Sequence, residues 1–351
     1  MSLYKIEIFS NDFEYKDSYQ VEEISYEFDY LSLSNNKIKL PFMDVARGDF
    51  IRISKNDFKV CGIVEGVSES DTNTNVEFKH FMNIFDTNVW IDLEEFNSHV
   101  NAIEQLLAAK IKEMYLDSED TLQNIKGLTI RPLTYTPGTK KFGLEENINN
   151  LYEILKLALI KHDIVVDIDI DVQTQKIDLV IRQTDTYEKY IEADLPNVLK
   201  KNVVIKKDQD STNKLYIVNE LEPTQKIAYY LGKDGTIATD MSESNRITPV
   251  IYDFKSVEPK EDETFEDLAY QEALQELIQE EYDNLIEITV LNDDTLVQPS
   301  TWSIGDRAVV IHKGNEYHTI LTGIKIDKSR TMLIFGAVRM ELTKKIKRRM
   351  K

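Results

Sequence analysis

Gly48-Asp49-Phe50-Ile51-Arg52-Ile53 and Gly305-Asp306-Arg307-Ala308-Val309-Val310-Ile311 decide the reading of this 351-residue chain, because they contain its only two Gly-Asp pairs and each pair opens a strand pattern. A polar turn follows each strand, Lys55-Asn56-Asp57 in one copy and Lys313-Gly314-Asn315 in the other. Next come an aromatic, Phe58 or Tyr317, and a second strand that reaches Gly66 or Gly323 at the same offset from the first. Ile63 and Val67 flank the first glycine as Ile320 and Ile324 flank the second, and beyond another turn Val76 and Phe78 are matched with Met332 and Ile334, the turns differing in length. Glycine suits the tight start of a strand, and aspartate can bond the backbone of its own turn. A mid-strand glycine permits the bulge by which a small barrel bends. Gly48, Asp49, Gly66, Gly305, Asp306 and Gly323 are therefore the expected structural signature of two similar modules, and n copies of such a chain in a ring would present 2n of them.

Around these two anchors the hydrophobic period changes in blocks. Residues 1–95 alternate with period two, as in Tyr4-Lys5-Ile6-Glu7-Ile8, and predict an N-terminal β-barrel. Residues 96–202 predict an α/β domain. Its first helix carries Val100, Ile103, Leu107, Ile111 and Met114 inward and is capped by Asn97 or Ser98. A second helix shows Ile148, Leu151, Tyr152, Leu155, Ala158 and Leu159 and ends near His162-Asp163, and a strand pair follows over Val166 to Arg182. Strands over 203–257 are expected to join the second barrel, with Gly232 to Gly235 as a turn. An acidic linker and a Thr264-capped helix over 258–284 are expected to pack on the α/β domain. The second barrel occupies 285–343 and a basic tail 344–351, so the fold class is α+β, β-rich, with two related small antiparallel β-barrels around an α/β domain.

A formal charge of −20 repels a phosphate backbone, so direct nucleic-acid binding is not expected; such a surface suits a conduit that DNA passes without adhering. Cys61 is the single cysteine, which rules out an internal disulfide and fits folding in a reducing cytoplasm. No apolar run approaches the length of a membrane span, and residues 1–10 open with a strand pattern in place of a signal peptide.

Chemistry is hard to find. His-Glu-x-x-His and Gly-x-Ser-x-Gly are both absent. Of the histidines, only His312 and His318 flank one predicted hairpin and could meet a metal, though a surface hairpin pair is the plainer reading. Asp167, Asp169 and Asp171 mimic the start of a calcium loop, but Val172 occupies the position of its glycine and the intervening aliphatics demand a strand. Glu145-Glu146 and Glu280-Glu281 fall at helix ends, where solvated carboxylates are ordinary. Arg47-Gly48-Asp49 spells an adhesion tripeptide that the strand-opening role already explains. Tyr229-Tyr230 and Trp302 could stack on sugars, or fill cores and interfaces. No catalytic, cofactor or metal residue is assigned, and none of these groups implies a cofactor.

The order of several segments resembles the prophage tail proteins related to the hub of contractile-phage baseplates and to the N-terminal part of siphophage tail-associated proteins, a group sometimes labelled prophage endopeptidase tail. The carriers are Gly48 to Ile53, Asn213-Lys214-Leu215-Tyr216-Ile217-Val218, Tyr229 to Gly235, the helix at Asp267 to Leu277, and Trp302-Ser303-Ile304-Gly305-Asp306 leading to Thr322-Gly323-Ile324. The resemblance implies a homotrimer whose six barrels ring a DNA channel at the virion tail tip. Its implied partners are the distal tail protein ring, the tape-measure protein, and a fibre or receptor-binding protein. Longer members carry a lytic or fibre-like extension, which is not expected of a sequence stopping at Lys351. Two other classes compete: a cell-wall-degrading tail endopeptidase and a carbohydrate-binding adhesin.

Overall fold

The structure, a computed structural model, describes residues 3–337 except 42, 57, 71–72, 98–101, 136–141, 143, 145, 206–211, 234–235, 260–263, 278–281 and 283. The chain divides into two compact units, residues 1–205 with 284–351, and residues 206–283.

The first unit begins with β1 (Tyr4–Phe9), β2 (Tyr15–Val21), β3 (Ser25–Asp29), β4 (Asn35–Pro41), β5 (Phe50–Lys55), β6 (Phe58–Ser70) and β7 (Asn73–His80). Six of them form an antiparallel sheet in the order β2-β1-β5-β6-β7-β4. Strand alternation sorts its faces. Ile6, Ile53 and Val60 lie in cross-strand register on one buried face, whereas Glu7, Arg52 and Cys61 line up on the other. β3 leaves this sheet altogether.

Next come β8 (Asn88–Trp90), α1 (Leu93–Asn97), α2 (Ile103–Tyr115), β9 (Leu128–Pro132), β10 (Ile148–Asn150), α3 (Leu151–His162), β11 (Ile164–Asp171) and β12 (Lys176–Gln183). β11 and β12 form the expected hairpin, and β12 also pairs in parallel with β9. The expected cap of the first helix needs correction: Asn97 ends α1, which Asp92 caps through the N–H groups of Glu94 and Glu95. α2 starts after Ala102 without a side-chain cap, and Ser98 and Val100 lie outside the described residues. Ile148 belongs not to the helix but to β10, paired with β8 and 64% exposed. Asn150 caps α3 by accepting from the Glu153 N–H at 3.2 Å, and Asp163, at φ 56°, ends it as read from the sequence. This segment shares one compact unit with the sheets flanking it in sequence and does not separate from them.

β13 (Glu188–Glu192) and β14 (Lys200–Ile205) complete the first passage through that unit. The second unit holds β15 (Lys214–Asn219), β16 (Lys226–Leu231), β17 (Ile237–Ala238), β18 (Tyr252–Val257) and α4 (Phe265–Leu277). The four strands form their own sheet, β17-β16-β15-β18, so only β14 of the strands expected over 203–257 joins the later sheet. α4 packs on this sheet. Phe265, Ala269, Ala273 and Leu277, spaced four apart on one helix face, meet Leu215, Ile217, Tyr229, Leu231 and Val257 in a single buried cluster. A four-stranded sheet needs its apolar face covered, and the helix that follows it is the nearest cover. Thr264 caps α4 as expected, accepting from the Asp267 N–H.

Returning to the first unit, β19 (Asn284–Leu291), β20 (Arg307–His312), β21 (Asn315–Asp327) and β22 (Arg330–Phe335) build a second sheet in the order β13-β20-β21-β22-β19-β14. Neither sheet closes: among the described residues no ladder joins β2 to β4 or β13 to β14, so the expected barrels are open, bent sheets. The two modules correspond more closely than their sequences suggest. β5-β6-β7 and β20-β21-β22 superpose in register at a constant separation of 257 residues, with equal turn lengths. Three expected matches therefore shift, because strand register outranks residue resemblance: Phe58 corresponds to Asn315 and not Tyr317, Val76 to Leu333 and not Met332, and Phe78 to Phe335 and not Ile334.

Candidate functional site

The signature residues form two corners with the same wiring. Gly48 and Gly305 have φ of 90° and 89°, a region open to glycine and unfavourable for other residues. Each donates its N–H across the sheet, Gly48 to the Val64 carbonyl at 2.9 Å and Gly305 to the Leu321 carbonyl at 2.8 Å. The return bonds run from the Val64 N–H to the Asp49 carbonyl and from the Leu321 N–H to the Asp306 carbonyl. Asp49 accepts from the Ala46 N–H and Asp306 from the Ser303 N–H, both at 2.8 Å, which makes the aspartate a brace of its own turn. A lysine completes each corner: Lys16 on β2 bonds Asp49 at 2.9 Å, and Lys189 on β13 bonds Asp306 at 2.6 Å. Burial would lower the Lys16 amine, yet Asp49 and Asp44 hold it above its ordinary value. No sequence signal marks these lysines, since β2 and β13 lie at unrelated distances from their corners.

Gly66 and Gly323 sit at matching bulges, where the register of β6 against β7 shifts between Val64 and Gly66 and that of β21 against β22 shifts between Leu321 and Gly323. Beyond the bulge the copies part company. β3 pairs antiparallel with β21 from Gly323↔Asp29 to Asp327↔Ser25, and the Tyr30 N–H extends the ladder to the Thr322 carbonyl at 2.7 Å. Lys325 and Glu27 add a cross-strand ion pair at 2.7 Å. A strand of the first module thus completes the second. A Cβ on Gly323 would meet the Phe28 carbonyl at 3.2 Å, whereas one on Gly66 would meet only Glu77, at 3.7 Å or more.

The other groups singled out by sequence are engaged elsewhere. His312 bonds Asp194 and His318 bonds Glu188, each at 2.8 Å, so the pair meets two different carboxylates. Lys201, the Lys313 N–H and His312 hold Asp194 well below the usual carboxylate range. Asp167 pairs with Arg182, Asp169 with Arg52 and Lys59, and Asp171 caps the Gln173-Thr174 turn, so the three aspartates do not converge. Burial raises the Asp167 carboxyl despite Arg182. Among the described residues no group of three His, Cys, Asp or Glu side chains could hold a metal ion. Glu145, Glu280, Glu281 and the basic tail lie outside them. Trp302 is buried edge-on against Phe335 and donates to the Val297 carbonyl at 2.9 Å. Tyr229 lies under α4, while Tyr230 carries Arg246 at 4.3 Å and Lys214 at 4.9 Å over its ring. No described helix is long and apolar enough to cross a membrane.

No protein-family model and no curated protein matches the sequence. Solved structures do match in fold. A 43 kDa tail protein of prophage MuSo2 from Shewanella oneidensis aligns with a TM-score of 0.55 at 14% identity, covering 95% of this chain and 97% of that one. A chain of the phage P2 baseplate in its activated conformation aligns at 0.51 and 12%, covering 95% and 98%. A chain of a P2 virion baseplate model aligns at 0.52 and 11%, with the same coverage. The fold is therefore one that occurs in phage tail and baseplate proteins, along almost the whole chain.

Proposed function

We propose that the protein is a structural hub of a phage tail tip or baseplate: a ring-shaped homotrimer that joins the tail tube to fibres or receptor-binding proteins and surrounds the DNA channel. The observation that carries this reading is the duplicated module. One chain holds two sheets built on the same three-strand core, β5-β6-β7 and β20-β21-β22, with the same bulge position and Gly-Asp corner, 257 residues apart. A chain with two like modules can place six of them around a threefold axis, and it can thereby mediate between neighbours of sixfold and threefold symmetry. Folds shared with tail and baseplate proteins support the setting. The charge of −20 suits a channel that must not hold DNA.

In this reading the six signature residues shape the modules and take no part in catalysis, and the partners are the distal tail ring, the tape-measure protein and a fibre or receptor-binding protein. Light-scattering mass tests it. A chain of 40.8 kDa should give a species of about three times that mass. A monomer at every concentration up to the millimolar range would refute the ring.

A further inference from the structure

Among the described residues, the second half of β6 has a partner on one side only, where its counterpart has one on each. β21 is flanked beyond its bulge by β22 on one side and β3 on the other, and Gly323, Ile324 and Ile326 are buried there. At the same positions of β6, Gly66 and Val67 are half-buried and Ser68, Glu69 and Ser70 are exposed. Among the described residues, no strand pairs with this stretch on the side away from β7.

The donor in the filled case identifies the donor for the empty one. β3 lies between β21 and β4, tied to β4 by Asn36, which accepts from the Glu27 N–H at 2.7 Å and donates to the Glu27 carbonyl at 2.9 Å. β4 faces β7 as β19 faces β22, with Asn36 opposite Phe78 and Ile286 opposite Phe335. The strand beside β19, with Val203 opposite Ile286, is β14. β14 thus occupies in the second module the place β3 occupies in the first, and it ends its sheet with an outer edge unpaired among the described residues.

We infer that β14 of one copy pairs antiparallel with the Gly66–Ser70 edge of β6 in a neighbouring copy, repeating between chains the hand-over that β3 makes within one. This names the contact by which the ring proposed above would close, and it rests on that reading. Each chain then gives one strand and receives one, a head-to-tail contact that closes into a ring or runs on as a filament. Exposed Lys200 on the giving strand and exposed Glu69 on the receiving one are of opposite charge, as Glu27 and Lys325 are inside the chain.

The repeat also says which backbone groups are offered. The Tyr30 bond to Thr322 places the N–H and C=O groups of Ile324 and Ile326 toward β3, and so those of Val67 and Glu69 toward the open edge of β6. Glu69→Pro removes one of these donors without removing a bond to β7. In the full chain it should raise the concentration at which the oligomer dissociates by about tenfold or more, with an unchanged thermal melt. As an independent readout, Ser68→Cys combined in turn with Lys200→Cys, Lys201→Cys, Asn202→Cys or Val203→Cys should give covalent multimers on oxidation for at least one pair. An oligomeric wild type whose Glu69→Pro variant dissociates no more readily and whose cysteine pairs never cross-link would overturn the inference and leave the ring intact. A wild type that is monomeric throughout would remove both.

Discussion

The two largest sheets of the first unit share a three-strand skeleton and differ in what covers them. In the first, the outer face bears Glu7, Arg52 and Cys61, with Arg52 bridging Glu7 at 2.8 Å and Asp169 of β11 at 3.0 Å, and the Cys61 thiol approaching the Ile168 carbonyl. In the second, the cross-strand pair at the positions of Arg52 and Cys61 is Val309 and His318, the latter largely exposed. The corners differ in the opposite sense. Nothing lies within 4 Å of a Cβ placed on Gly48, whereas one on Gly305 would meet Thr184 at 3.0 Å and Val165 at 3.3 Å. A duplicated module is thus held in two environments, with strand register retained and packing residues free to diverge.

The sharpest way to break this comparison is at Arg52. Arg52→Leu should cost about 3–5 kcal/mol, because it leaves Glu7, 1% exposed, with only Lys5 as an ionic partner among the described residues. Val309→Leu, which adds one methylene at a buried site of the second sheet and strands no charge, should cost less, about 1–3 kcal/mol. Chemical denaturation of Arg52→Leu, Glu7→Leu and the double variant reads this out, with the double variant recovering most of the loss. A double variant no better than the single would show that packing, not charge, dominates.

The corners give the next contrast. Gly305→Ala should destabilise by about 2–4 kcal/mol, through a positive φ and a crowded Cβ, and Gly48→Ala by about 1–2 kcal/mol through φ alone. Equal melting losses would contradict the difference in cover.

Acid should act on the first sheet through His80. His80, stacked on Phe28 with ring centroids 3.7 Å apart, is held down to about 3 by burial, against an ordinary 6.5. Its folded form therefore binds fewer protons than the unfolded chain between these limits, so stability is full above pH 6.5 and falls as pH drops toward 3. The slope is about 1.4 kcal/mol per pH unit from this group. His80→Asn keeps an acceptor for the Met82 N–H and removes the titration, so its denaturation midpoint should depend less on pH across that window. The smallest effect is expected from Tyr152→Phe. It deletes the hydroxyl bond to the Tyr30 carbonyl at 3.0 Å and should cost about 1 kcal/mol by thermal melt.

The legible parts of the fold were those written in local chemistry. The Gly-Asp corners, the Thr264 cap, the β11–β12 hairpin and the end of α3 at Asp163 each depend on residues adjacent in sequence, so period and turn chemistry reveal them. Long-range choices left no comparable trace. β3 pairs with β21, almost three hundred residues on, through backbone groups common to every residue. Phe58 corresponds to Asn315 and not to the aromatic Tyr317, because turns two residues long in both copies set the register and side-chain type does not. The apolar stripe of α4 would suit any sheet, and only topology assigns it to β15 and β16. The lysines that complete the corners come from strands with no shared offset, which leaves nothing in the sequence to pair them.

The central claim is that two like modules per chain alternate around a common axis, and images of the purified full-length protein test it most directly. Two-dimensional class averages of single particles should show a threefold ring bearing six similar lobes. Averages showing isolated two-lobed particles, or rings in which only three lobes line the centre, would contradict it.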